Sequence, residues 1–290
     1  MRSFSADHGA VAGRGLRGPG GWVVVSCGAA VLLAACSGGG SDSTQRSASP
    51  TPSASTSSTP TAVSPYVTLV PLPVGCVTVG PEIVGVKVYL VQQALGLVGH
   101  LDRYDAATAS AVRGFQAAHG LPVTGRVDER TWTALRTGQP FCIDRYTAQP
   151  TLGPSGTAAA RSAAMLGYAV SRLGVPYIWG GAGPIGYDCS GLALQAMYAG
   201  GRVVPGVSTD LHIQATFNTA EAIYRSSALL HVPLGQRRAG DLVLWGSDFG
   251  HLALYLGNDR IVEAVRPSIR TASLWVHGAP LPTVVRPFPG

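Results

Sequence analysis

The chain has 290 residues and a formal net charge of +6, from 21 Lys and Arg against 15 Asp and Glu, a modest basic balance that suits an anionic polymer or a lipid surface. No basic helix, aromatic ladder or finger motif accompanies that charge, which argues against nucleic acid as a partner. The sequence shows neither a cluster with zinc-ligand spacing nor a phosphate-binding glycine loop, so no metal or other cofactor is expected.

Arg2, Arg14 and Arg17 precede an apolar run over residues 22–35, which ends at Cys36. The run falls well short of the ~20 residues that a membrane-spanning helix needs, and residues 1–35 read as a signal peptide. Leu33, Ala34, Ala35 and Cys36 resemble a lipobox, in which the cysteine is acylated and becomes the new N-terminus. The alternative is ordinary cleavage that leaves Cys36 free. Acylation at Cys36 would hold the rest of the chain at a membrane, and no adjacent arginine pair points to twin-arginine export. Loss of residues 1–35 removes three arginines and one aspartate and leaves a net charge of +4. Residues 36–65 are almost all Ser, Thr, Pro, Ala and Gly and cannot form a core. They are a linker that reaches on the order of 30 Å as a flexible coil and ~90 Å if extended.

Residues 66–144 form a first folded unit. Val88, Val91, Gln92 and Leu95 lie at helical spacing, Thr108, Val112 and Phe115 repeat that face, and a third short helix carries Trp132 and Leu135. Thr124 and Gly125, ahead of Asp128, supply the turn and cap that start it. The stretch AVRGFQAAHGLPVTGRVDERTWTAL resembles the three-helix peptidoglycan-binding module, with a departure at LDRYDAAT, where Arg103 and Asp105 replace the usual glycines. The resemblance implies peptidoglycan as a partner, with the groove near that turn altered or lost. The apolar side chains themselves read as core rather than as a ligand platform.

Residues 145–155 form a Pro- and Gly-rich joint to a second unit, 156–290. Its first part, 156–174, is alanine-rich and suits a helix packed closely on a neighbour. In VPYIWGGAGPIGYDCSGLALQAMYAGG, residues 175–201, the Gly, Pro and Tyr before Cys189 favour a loop and the apolar LALQAM after it a helix, so the thiol sits at a helix start. Unpaired N–H groups there favour the thiolate and can lower a thiol pKa from about 8.5 towards 3.5–7.5. Asp188 is a candidate N-cap, and Ser190 and Gly191 are too small to shield the sulfur. A longer irregular segment, 203–234, has the makings of a lid. Strands are expected at 241–245, 251–256, 260–265 and 283–288, which makes an α+β domain with a site at the helix-to-sheet seam.

PYIWGG, DCSGL, GDLVLWG and GHLALYLGN, in that order and spacing, resemble the NlpC/P60 family of cell-wall cysteine peptidases, a papain-like α+β fold. The resemblance spans about residues 155–290. It implies a cofactor-free peptidoglycan hydrolase that cleaves between D-γ-glutamyl and the diamino acid of a stem peptide, with Cys189 as nucleophile and His251 as base. Of the seven histidines, His251 alone has that flanking context, whereas His212, His231 and His277 sit in less structured surroundings. Glu263, in the strand RIVEAV after a tight turn, is the candidate to orient His251, where many family members have histidine. Tyr177 and the Cys189 amide are candidates for the oxyanion, and Asp188 and Ser190 for seating the peptide. Two further classes stay open, a non-catalytic peptidoglycan-binding lipoprotein and a cell-wall amidase with the same Cys/His chemistry.

Cysteine use follows from that reading. Cys27 leaves with the signal, Cys36 takes the lipid and Cys189 is the nucleophile. Cys76 and Cys142 remain to pair across the helical module; the alternative is a bond from either of them to Cys189 that silences it. The expected location is extracytoplasmic, anchored to the cell membrane and facing the wall.

Overall fold

The computed structural model describes residues 76–97 and 102–290. The expected signal peptide, Cys27, Cys36 and the expected linker fall outside the described residues. Among those described, no helix is long and apolar enough to cross a membrane.

Three short helices build the first unit: α1 (Val86–Ala94), α2 (Ala106–Ala118) and α3 (Glu129–Leu135). Each of the last two starts on an aspartate. Asp105 accepts a hydrogen bond from the Thr108 amide and Asp128 from that of Thr131, which satisfies N–H groups that the helix itself cannot. Val88, Val91, Val112, Trp132 and Leu135 close one core with Val79, Ile83 and Tyr104. Cys76 and Cys142 are bonded to each other, with their Cα atoms 5.0 Å apart.

The second unit opens with α4 (Ala158–Val170), capped by Thr157, and α5 (Cys189–Ala199), capped by Asp188. Every side chain of α5 except those of Cys189 and Tyr198 is buried, as befits a helix apolar on all sides. It lies between α4 and an antiparallel sheet. The sheet runs β1 (Leu230–Pro233), β6 (Thr283–Arg286), β2 (Leu242–Trp245), β3 (His251–Gly257), β4 (Arg260–Ala264) and β5 (Ile269–Ser273). Leu242, Leu244, Leu252, Leu254 and Val262 face the helices, while Val243, Trp245, Ala253, Tyr255 and Ile261 form a second core on the opposite face with Leu274.

Two expectations change. The segment 203–234 is not irregular throughout: it contains α6 (Thr209–His212), α7 (Thr219–Arg225) and β1, each helix capped by a Ser or Asn side chain. The joint 145–155 is strapped down, because Gln195 of α5 accepts from the amides of Thr147 and Ala148 and donates to the Arg145 carbonyl. Buried Arg161 holds the carbonyls of Gly153 and Gly156. The two units are therefore joined by contact as well as by chain, within one compact body.

That contact places the helical unit beside the start of α5. The amide of Val84 donates to the Ile213 carbonyl and that of Ala215 to the Glu82 carbonyl, and Ile213 enters the helical unit's own core. Gly85 and Gly180 meet backbone to backbone, both at positive φ, 95° and 73°. A Cβ on Gly85 would stand 2.3 Å from the Gly180 carbonyl oxygen, so only glycine allows this approach.

Candidate active site

Asp188 ties α5 to the loop before it. One carboxylate oxygen accepts from the Gly191 amide at 2.8 Å and the Ser190 hydroxyl at 3.2 Å, the other from the Gly180 amide at 2.7 Å. Its own amide donates to the Gly181 carbonyl at 2.8 Å. A Cβ on Gly191 would stand 2.0 Å from that carbonyl oxygen, which explains the glycine two residues after the cysteine. Asp188 and Ser190 are thus a cap and its partner, and both also line the cleft in front of Cys189.

Cys189 is partly buried at the first position of α5. The helix-start argument anticipated a lowered thiol pKa, but burial and the neighbouring Asp188 carboxylate push it up to about 12. Amides of Leu252, Ser190 and Cys189 itself act in the opposite sense without prevailing. The capping carboxylate that organises the helix start also offsets its positive end, so the resting group is a thiol.

His251 opens β3 opposite Trp245 of β2, one residue before the Leu252 amide that acts on the thiol. Its Nε2 lies 2.7 Å from Oε2 of Glu263 on β4, which leaves Nδ1 as the other proton-carrying position. Glu263 is fully buried and accepts from Arg270 Nε at 3.0 Å; Arg270 is its cross-strand neighbour on β5. A third partner is His277, whose Nε2 is 2.6 Å from the same Oε2. Burial alone would raise the Glu263 pKa, but His251, His277 and Arg270 hold it down at about 2, so it is a fixed anion. No such place for His277 shows in the sequence, because it reaches Glu263 from a turn that no periodic pattern marks.

The cleft, of about 330 Å³, is lined by Tyr177, Trp179, Cys189 and His212, with Val84 contributed by the helical unit. Tyr177 packs under Arg266, 5.0 Å from the ring centroid, and burial with the nearby Asp188 and Cys189 raises its phenol pKa, so it keeps its proton. His212 was another residue without a sequence signal. It ends α6, is buried, hydrogen-bonds Thr219 Oγ1 at 2.9 Å through Nδ1, and brings Nε2 to 3.3 Å from Asp188 Oδ1. The altered turn of the helical unit reaches the same loop: Asp102 accepts from the Trp179 amide at 3.0 Å.

The profile of the NlpC/P60 family matches residues 174–278, and that described as a putative peptidoglycan binding domain matches residues 84–135. Peptidoglycan endopeptidase RipA of Mycolicibacterium smegmatis is 35% identical over 109 residues, which cover 33% of this chain and 19% of RipA. Peptidoglycan endopeptidase RipB of Mycobacterium tuberculosis is 34% identical over 108 residues, 32% of this chain and 39% of RipB. The chain thus spans well under half the length of these relatives. Among solved structures, the P60 domain of an M. avium subspecies paratuberculosis antigen aligns with a TM-score of 0.38 at 25% identity, covering 46% of this chain and 98% of that one. The chain carries an NlpC/P60 domain of α+β fold over residues 174–278, preceded over residues 84–135 by a helical domain of the peptidoglycan-binding type.

Proposed function

We propose that the chain is an extracytoplasmic cysteine endopeptidase that hydrolyses peptidoglycan stem peptides, with Cys189, His251 and Glu263 as its catalytic residues. The observation that carries this reading is the His251–Glu263 hydrogen bond of 2.7 Å at the start of β3, one residue after Gly250 of a cleft that is also lined by Cys189, the only free thiol among the described residues. Glu263 fixes the His251 tautomer with the proton on Nε2 and leaves Nδ1 to accept the thiol proton. Because the resting thiol pKa is raised, proton transfer accompanies attack rather than preceding it. Sulfur adds to the scissile carbonyl, the oxyanion is met by the Cys189 amide and the protonated Tyr177 hydroxyl, and the imidazolium returns its proton to the leaving amine. Water, deprotonated by the same imidazole, then releases the acyl group and the thiol.

The substrate bond of this reading is that between D-γ-glutamyl and the diamino acid, and the domain of peptidoglycan-binding type supplies a second contact with the wall. Acylation of Cys36 would hold the chain at the cell membrane, with residues 36–65 as its tether. The Cys76–Cys142 bond supports an oxidising compartment. Soluble stem peptide incubated with the purified chain tests the assignment of roles. Cys189→Ala and His251→Ala abolish hydrolysis on this account, and full activity in either variant overturns it.

A further inference from the structure

The carboxylate oxygen Oε2 of Glu263 has two imidazole nitrogens on it, Nε2 of His251 at 2.7 Å and Nε2 of His277 at 2.6 Å. Among the described residues, these three are the group whose donor atoms converge, all within 4.8 Å of one another. They come from β3, β4 and the turn after β5, and for that reason no metal-ligand spacing shows in the sequence. Two neutral imidazoles and one carboxylate are the donor set of a zinc site.

We propose that His251, Glu263 and His277 form a divalent-cation site of Zn²⁺ type, and that its occupation switches off the proton acceptor of the cleft. Several features fit the site to a cation. Glu263 is fully buried and its other oxygen is held by Arg270, so Oε2 has a set direction. Ligating carboxylates are commonly hydrogen-bonded in this way. Trp245 packs 5.5 Å from both rings and the rings stand 4.6 Å apart, which restricts their rotation. The side chains of His251 and His277 are 16% and 29% exposed, so an ion has a path from solvent. Tetrahedral Zn²⁺ needs ligand atoms about 3.3 Å apart. The two hydrogen bonds, 2.7 and 2.6 Å, would open by roughly 0.6–0.7 Å, and the donor atoms, now within 4.8 Å of one another, would draw in to that common spacing by side-chain rotation. The Arg270 charge opposes the cation and moderates affinity.

The consequence for His251 follows from proton bookkeeping. In the metal-free site the proton that a ring donates to Oε2 is the one on its Nε2. When Zn²⁺ takes the Nε2 lone pairs, each proton moves to Nδ1 and none is released overall. His251 then carries Nδ1–H and, on the peptidase reading, cannot accept the proton of Cys189. The thiol itself need not touch the metal.

Titration calorimetry with zinc chloride on the Cys189→Ala chain reads the site with the thiol removed as a competing ligand and with no turnover required. The expected result is one Zn²⁺ per chain, with affinity at least about tenfold lower in Cys189→Ala/His277→Ala. No binding, or binding unchanged by loss of His277, overturns the site. His277→Asn, which keeps a side chain of similar size, gives the same loss if the nitrogen ligand matters, and wild-type affinity in it counts against the proposal. Reversible inhibition by Zn²⁺, relieved by a chelator and weakened in His277→Ala, is the second arm and alone rests on the peptidase reading. Binding that depends on His277 but leaves hydrolysis untouched overturns the switch. A chain without any hydrolysis refutes the peptidase reading, and calorimetry still decides the site.

Discussion

The guanidinium carbon of Arg103 lies 3.9 Å from the ring centroid of Trp179. One residue belongs to the helical domain and the other to the loop that leads into Cys189, so the two domains meet at the cleft. Asp102 reinforces the contact by accepting from the Trp179 amide and by pairing with Arg266 at 3.6 Å. A stacked Arg–Trp pair contributes about 0.5–2 kcal/mol, and Arg103→Ala is expected to lower stability by that amount in urea titration. The same variant raises KM for stem peptide, because Val84 and Gly180 then lose their fixed spacing. Unchanged stability and KM would show that the contact is incidental.

Glu263 is predicted to act on the rate rather than on binding. Glu263→Gln replaces a fixed anion by an amide that can hold the wrong His251 tautomer, and kcat should fall roughly a hundred- to ten-thousand-fold with KM little changed. Steady-state kinetics on a soluble stem peptide separate the two parameters. An unaltered kcat would remove Glu263 from the mechanism.

Asp188 and His212 predict a stability plateau in pH. Burial acts to lower the His212 pKa, but Asp188 and the Gly181 carbonyl raise it above its ordinary 6.5. Its contribution is therefore complete below 6.5 and is lost as pH rises through the higher folded value. Burial acts to raise Asp188, but His212 and the amides of Gly191 and Gly180 hold it below 3.8. Its contribution is complete above 3.8 and is lost as pH falls through the lower folded value. The pair's own contribution is thus constant between these limits and declines on either side, and His212→Gln should flatten the alkaline decline of the thermal midpoint. A variant with the wild-type alkaline decline would contradict the pairing.

The Cys76–Cys142 bond closes a loop across a sequence separation of 66 residues. Cross-linking a loop of that length is worth about 4 kcal/mol by restriction of the unfolded chain. The double variant Cys76→Ala/Cys142→Ala should lose stability of that order. Loss of much less than ~2 kcal/mol would mean that the packing around Lys87, Trp132 and Phe141 already holds these ends.

Parts of this architecture were legible in the residues, and the parts that were not share physical causes. The limits of α5 and its Asp188 cap, and the start of β3 at His251, follow from a sharp change between loop formers and apolar residues. The two edge strands escaped: β1 buries only Val232 and ends in proline, and in β5 only Ile269 is fully buried, so neither alternates between apolar and polar. His212 and His277 escaped because their roles depend on partners 24 and 14 residues away, Asp188 and Glu263, and no local pattern reports such a contact. The raised thiol pKa of Cys189 was hidden for a related reason. A helix start predicts the direction of one field, while burial and the Asp188 carboxylate exist only in the folded cleft.

The central claim is that the thiol of Cys189 cleaves the stem peptide. Mass spectrometry of purified stem peptides after incubation with the chain, run beside Cys189→Ala, tests it most directly. The account predicts fragments from a cut between the D-γ-glutamyl and diamino residues with the native cysteine and intact peptide with the variant. The same fragments from both proteins, or none from either, would contradict it.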